Sequence, residues 1–218
     1  MKRKTLGLIH TSATLVPVFA QLCQAKLPQV DTFNIVDDNL VTAIGAQGLT
    51  PAIARRVAAY LASAESAGAD YILVTCSSIG PAVEAAAPQI HVPVLRVDLP
   101  MADRAVQTGR RIGVIATLTT TLAPTADLIR RRAAEAGRPI ELTSRLCEGA
   151  FEALMGGGAV KHDAMIVTAL KELAARVDVI VLAQASMARV VDKLPAADRR
   201  VPILASPALA IDHLAGIL

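Results

Sequence analysis

Aromatic side chains are nearly missing from this sequence: it has no Trp, two Tyr and three Phe, or 2% of 218 residues. With so few rings to stack bases, a platform for single-stranded nucleic acid is not expected. The core must instead be aliphatic, built from Ala, Val, Leu and Ile, and close packing of helices on a sheet follows. Long apolar runs are missing too. No stretch approaches the roughly 18 to 20 residues of a membrane span. The basic start, MKRKTLGLIHTSATLVP, is broken by His10, Thr11 and Ser12, so it reads as a strand rather than a secretion signal. A cytoplasmic protein with no membrane partner is expected.

Cysteine is scarce and unpaired. Cys23, Cys76 and Cys147 have no short spacing between them, so neither a disulfide framework nor a zinc knuckle is expected. No set of His, Cys, Asp and Glu has metal spacing. Neither GxGxxG nor GxxxxGK[ST] occurs. No metal and no cofactor are therefore expected. The triple glycine at 156–158 lacks the Lys that a phosphate loop needs and reads as a loop. Charge is modest: the formal net charge is +3. The one dense basic cluster, Arg130 to Arg132, reads as the wet face of a helix.

What is present is a strong alternation. The apolar fraction is 53% and the charged fraction 19%, which excludes disorder. Runs such as YILVT and VIVLA are apolar throughout, the mark of strands covered on both faces. Strands are predicted at 5–11, 32–36, 70–75, 93–97, 111–116, 139–143, 178–182 and 201–205. Helices are predicted near 15–27, 51–67, 79–87, 99–107, 122–136, 162–175, 187–193 and 207–217. Strand following helix in this way gives a doubly wound α/β architecture.

The chain also repeats itself. Leu6 to Thr11 parallels Ile112 to Thr117, Asp70 to Ser78 parallels Asp178 to Ser186, and Val92 to Leu95 parallels Val201 to Leu204, at offsets of 106, 108 and 109 residues. The period is too long for a solenoid unit. Two pseudo-symmetric parallel-sheet lobes facing a central cleft are predicted, 1–97 plus 206–218 and 98–205. Ligands of open α/β sheets bind beyond the carboxyl ends of the strands. Loops 10–15, 76–80, 117–121 and 184–188 are therefore the expected site.

Cys76 stands at one of these places, after the strand Tyr71 to Thr75 and before Ser77-Ser78-Ile79-Gly80-Pro81. Free N–H groups and the positive end of the following helix favour an anion there, and a thiol so placed is a candidate nucleophile or base. Cys23, inside a helical pattern, and Cys147 read as inert. Thr11, Ser12 and Thr14 follow the first strand; Thr117, Thr119, Thr120 and Thr121 follow its repeat. Short hydroxyls beside helix starts make a carboxylate cradle, although helix capping explains any one of them. His10 reads as an acid, a base, a substrate contact or a structural residue. His91, His162 and His213 are assigned no role. Segments 37–50 and 144–161 read as specificity loops. Arg55, Arg56 and Arg145 are surface residues or contacts to a second carboxylate.

At these residues the chain resembles the aspartate/glutamate/hydantoin racemase superfamily over nearly its whole length. The resemblance lies in the two-fold repeat, the Ser/Thr turn after the first strand and a Cys with small hydroxyl neighbours after the third. Relatives include amino-acid and hydantoin racemases, maleate isomerases and arylmalonate decarboxylases. The resemblance implies a cofactor-independent isomerase acting on a small carboxylate, and a homo-oligomer. It also implies two opposed cysteines, because inversion at carbon needs an acid and a base on opposite faces. Cys76 matches the first. The second position is Gln184, which cannot exchange a proton at neutral pH. Ser186 nearby is a poor acid unless activated.

Several readings therefore stay open. Cys76 acts alone on one face, as in a decarboxylation, a tautomerisation or an elimination, with Gln184 holding a substrate oxygen. It adds to a double bond. Racemisation persists with another second base, such as His10 or a water. Or the protein binds a small acid without turnover. The expected substrate contacts are His10, Thr11, Ser12, Ser77, Ser78, Thr117, Thr119, Thr120 and Ser186.

Overall fold

A computed structural model describes residues 3–218 of the chain. The chain divides into two compact units, one of residues 1–98 with 207–218 and the other of 99–206. Each contains one four-stranded sheet whose neighbouring strands are all parallel.

The first unit runs β1 (Thr5–His10), α1 (Val16–Lys26), β2 (Asp31–Val36), α2 (Asn39–Gln47), α3 (Pro51–Ser66), β3 (Tyr71–Val74), α4 (Gly80–Ala86) and β4 (Val94–Arg96). The second begins with α5 (Leu99–Thr108). It continues with β5 (Arg111–Ala116), α6 (Thr119–Glu135), β6 (Glu141–Leu146), α7 (Ala150–Met155), α8 (Ala159–Ala174), β7 (Val179–Leu182), α9 (Ala188–Lys193) and β8 (Ile203–Ala205). The last helix, α10 (Ser206–Ala215), returns to the first unit, where Asp212 pairs with Lys26 of α1.

Strand order is β2-β1-β3-β4 in one sheet and β6-β5-β7-β8 in the other. Central strands β1, β3, β5 and β7 are buried along almost their whole length. That requires helices on both faces, the doubly wound arrangement expected from the continuous apolar runs. Gly7 and Gly113 sit at matching places on β1 and β5. A Cβ at Gly113 would stand 2.3 Å from Leu173 Cδ2 of α8, and one at Gly7 would stand 3.0 Å from Phe33 Cζ. The missing side chain lets neighbours close on the sheet. Aliphatic clusters finish each unit: Ile44, Val57, Leu61 and Ile72 are among the buried residues of the first, and Ile166, Leu170, Ile180 and Val190 of the second.

An aspartate latch recurs at the amino-end side of each sheet. Thr5 N–H donates to Asp70 Oδ2 at 2.8 Å, and Arg111 N–H donates to Asp178 Oδ2 at 2.8 Å. Asp178 also accepts from the Arg111 guanidinium, which holds its carboxyl below the usual range.

Two helices depart from the sequence reading. Segments 37–50 and 144–161 contain α2 and α7 rather than loops throughout. Both are short, with Gly45 inside α2 and the glycine run 156–158 after α7, so no strong helical period marks them. Helix α6 starts at Thr119 rather than 122, which puts Thr119, Thr120 and Thr121 in its first turn. No helix among the described residues is long and apolar enough to cross a membrane.

Candidate active site

The carboxyl edge of the first sheet is set by backbone bonds between strand ends. Thr75 N–H donates to the Ile9 carbonyl at 3.0 Å, and Asp37 N–H donates to the His10 carbonyl at 3.0 Å. The residues that follow β1 and β3, Thr11–Ser12 and Cys76–Ser78, thereby leave the sheet at the same edge. Cys76 is extended (φ −128°, ψ 119°) and caps a single 3-10 turn, Ser77–Ile79, that leads into α4. Its side chain is half-buried, while Ser77 and Ser78 are buried. Thr11 is buried as well, and Ser12 Oγ lies 2.7 Å from Thr14 Oγ1.

The three cysteines now separate. Cys23 lies within α1, and burial pushes its thiol up to about 11. Cys147 is buried among the aliphatic residues of the second unit; burial raises its thiol, against a smaller opposing pull from Arg145. A raised thiol holds little thiolate at neutral pH and is a poor nucleophile. Cys76 is the one cysteine that is both partly accessible and at a strand end.

His10 is fully buried at the end of β1. Both ring nitrogens have partners in the same unit: Nδ1 lies 2.9 Å from Thr75 Oγ1 and Nε2 lies 2.9 Å from Asn34 Oδ1. Burial lowers its pKa, opposed by the weaker effect of Asn34, so the neutral ring is favoured. The Thr75 hydroxyl donates to the Ile9 carbonyl at 3.1 Å, and its oxygen also meets Nδ1 of the ring. His10 thus braces the residue preceding Cys76. Asn34 and Thr75 were not recognised in the sequence; each lies within a strand reading, and only parallel pairing of β1 with β2 and β3 brings them together.

The second sheet repeats the edge. Ala183 N–H donates to the Ile115 carbonyl at 2.9 Å, and Cys147 N–H donates to the Ala116 carbonyl at 2.8 Å. Gln184 has nearly the backbone of Cys76 (φ −123°, ψ 134°) and caps the matching turn Ala185–Met187. Its Oε1 accepts from Thr117 N–H at 2.5 Å and from Thr117 Oγ1 at 2.8 Å. The amide carbonyl is occupied, and the amide nitrogen is the end that carries donors. Thr117 is buried, Ser186 and Thr120 are half-buried and Thr119 is exposed.

Two of the arginines considered for a second carboxylate have acidic partners of their own. Arg56 pairs with Asp37, which also accepts from Tyr60 Oη at 2.6 Å, and Arg145 lies 3.2 Å from Glu172. Among the described residues no group of three or more His, Cys, Asp or Glu side chains is arranged to hold a metal ion.

With this geometry in view, the comparison with known proteins is direct. The model of the family described as Asp/Glu/Hydantoin racemase matches residues 6–214. The chain belongs to that family. It is therefore a racemase-type isomerase in its broad class. Solved structures share its fold: glutamate racemase RacE1 from Bacillus anthracis has a TM-score of 0.76 at 17% identity, with 100% of this chain and 82% of that one covered. The aspartate racemase of Picrophilus torridus has a TM-score of 0.73 at 14% identity over 98% and 94% of the two chains. Allantoin racemase from Klebsiella pneumoniae has a TM-score of 0.69 at 17% identity over 98% and 87%. No curated protein matches the sequence.

Proposed function

We propose that this family member is a cofactor-independent isomerase of a small, amino-acid-like carboxylate and that Cys76 is its one reacting sulfur. The observation that carries this reading is the pairing of unlike residues on like backbones: a half-buried thiol at 76 and an amide at 184 whose carbonyl is held by Thr117. The Cys76 thiolate takes a proton from the carbon next to the carboxylate, and the electron pair moves into an enediolate. Gln184 meets the developing oxyanion with its N–H donors. In a β,γ-unsaturated carboxylate the electron pair extends over the double bond, and the proton returns from sulfur to the γ carbon as the double bond moves beside the carboxylate. With an unsaturated substrate, the same sulfur instead adds to the double bond, the new single bond rotates, and the thiolate leaves. Hydroxyls and N–H groups of Thr11, Ser12, Ser77 and Ser78, with their repeat equivalents Thr117, Thr119, Thr120 and Ser186, bind the carboxylate. His10 acts by holding Thr75. Assembly as a homo-oligomer belongs to the same reading and is read by sedimentation.

Gln184 also favours a second reading, one-face decarboxylation. A malonate substrate loses CO2, the carbanion is held as its enolate, and the Cys76 thiol protonates one face only. Incubation in D2O with glutamate, aspartate, allantoin, maleate and substituted malonates, followed by NMR and chiral chromatography, separates the two. Isomerised product with deuterium placed on one face supports the isomerase. A single deuterated enantiomer with released CO2 supports the decarboxylase. Turnover that survives Cys76→Ala overturns both.

A further inference from the structure

The first unit holds a buried charge cluster immediately behind the Cys76 turn. The Arg96 guanidinium is 5% exposed and the Asp98 carboxylate 0%. Their pairing is two-pronged: Nε donates to Asp98 Oδ1 at 3.0 Å and Nη2 donates to Asp98 Oδ2 at 2.8 Å. Nη1 donates to Glu84 Oε1 of α4 at 2.8 Å. Burial opposes the charge on Arg96, but Asp98 and then Glu84 outweigh it and hold the guanidinium above its ordinary pKa. The guanidinium lies against the first residue of α4: a Cβ on Gly80 would stand 2.2 Å from Arg96 Cζ. Three hydrogen bonds pin that group, so it cannot swing aside to make room.

The internal repeat supplies a control. Gly80 corresponds to Ala188, the first residue of α9, and Arg96 corresponds to Ala205 on β8. Asp98 corresponds to Pro207. In the second unit the helix residue has a Cβ and the strand residue has no guanidinium; in the first unit both are reversed. The same sheet order therefore closes with no ion pair at this strand–helix contact, although Asp163 of α8 pairs with Arg189 and Lys193 elsewhere on α9. Buried ion pairs add little stability compared with apolar residues of similar volume. The cluster is thus not a requirement of the fold, and it occurs in the copy that carries the thiol.

Resting on the reading of Cys76 above, we propose that Arg96, clamped by Asp98 and Glu84 and seated on Gly80, is a positioning residue for Cys76. The connection from β3 to α4 is anchored at one end by the Thr75 N–H bond to Ile9 and at the other by the Gly80–Arg96 contact. Only Cys76 and the turn Ser77–Ile79 lie between these anchors. Arg96 sets how α4 stands against β4, and so fixes where the sulfur stands at the end of β3.

The test gives the first copy the apolar contact of the second: Gly80→Ala, Arg96→Ala and Asp98→Ala together. The rate of Cys76 modification by iodoacetamide at pH 7 is followed by mass spectrometry of its peptide, beside thermal melting. Loss of the seat moves the sulfur from its place at the end of β3, and the rate is expected to fall about tenfold. General loosening of the unit would expose the sulfur and speed the reaction instead. A folded variant whose rate drops threefold or more supports the inference; a smaller drop or a rise overturns it. A variant that does not fold also overturns it, because the cluster would then be holding the unit rather than the sulfur. Arg96→Lys, which keeps the charge beside Asp98 and needs no new Cβ contact at Gly80, is expected to fold and to retain an intermediate rate; a wild-type rate in that folded variant counts against the fork geometry. Alkylation needs no substrate, so this result is independent of whether Cys76→Ala abolishes turnover.

Discussion

The two copies of the repeat share strand order, latch aspartates and the backbone of the capping residue after the third strand, yet differ in what they place there. The first copy surrounds its edge with buried polar groups: His10 between Thr75 and Asn34, and Arg96 between Asp98 and Glu84. The second has Ala116 and Ala183 in place of His10 and Thr75, and Ala205 in place of Arg96. At this edge it has Gln184 on Thr117, and away from the edge the buried His162 lies beside Asp163, which pairs with Arg189 and Lys193. One fold thus tolerates both chemistries. At the carboxyl edge of the sheet, the buried polar groups around the third strand gather in the copy that carries Cys76.

The largest effect expected from breaking this difference is on turnover. Cys76→Ala should lower it by about a thousandfold or more, as loss of a sole nucleophile or base does, while the Cys147→Ala variant stays within about threefold of wild type. Both are measured by deuterium incorporation. Next comes packing. Gly80→Ala alone forces a methyl onto a pinned guanidinium and should destabilise by about 1 to 3 kcal/mol in urea unfolding. The reciprocal Ala188→Gly should lose no more than about 1 kcal/mol, since only helix propensity changes.

A smaller effect concerns pH. His10 is held below its unfolded pKa, so the unfolded chain binds more protons as pH falls. Its contribution is complete above the unfolded value of about 6.5 and is lost as the pH drops through that value towards the lowered folded one. Melting temperature should therefore decline more steeply below pH 6.5 in the wild type than in His10→Gln. Parallel curves for the two proteins would remove the buried neutral histidine from the account. The smallest change is Gln184→Cys, which restores a thiol at the second place. It should leave the melting temperature within a few degrees and introduce deuterium exchange on the opposite face. If wild-type protein already exchanges both faces, the asymmetry between the copies has no chemical consequence.

Much of this was legible before any coordinates. All eight strands were placed near their observed positions, continuous apolar runs marked the buried central ones, and the repeated strings identified the two copies and paired residue 76 with residue 184. Those signals are local or periodic, and neighbouring residues carry them. The α2 and α7 helices were missed because glycine and brevity weaken their period. The His10–Thr75–Asn34 bracing was missed because its members come from β1, β2 and the residue that follows β3.

Composition and order along the chain determined an aliphatic α/β protein with an internal duplication and a cysteine after its third strand, because hydrophobic periodicity is written in adjacent residues. Tertiary structure alone decided which polar side chains became partners. Arg96 reads in the sequence as one more basic residue. Only the parallel register of β4 beside β3, and the missing side chain at Gly80, turn it inward onto Asp98 and Glu84. The partners of a buried charge are set by distance in space, and separation along the chain carries little information about that distance.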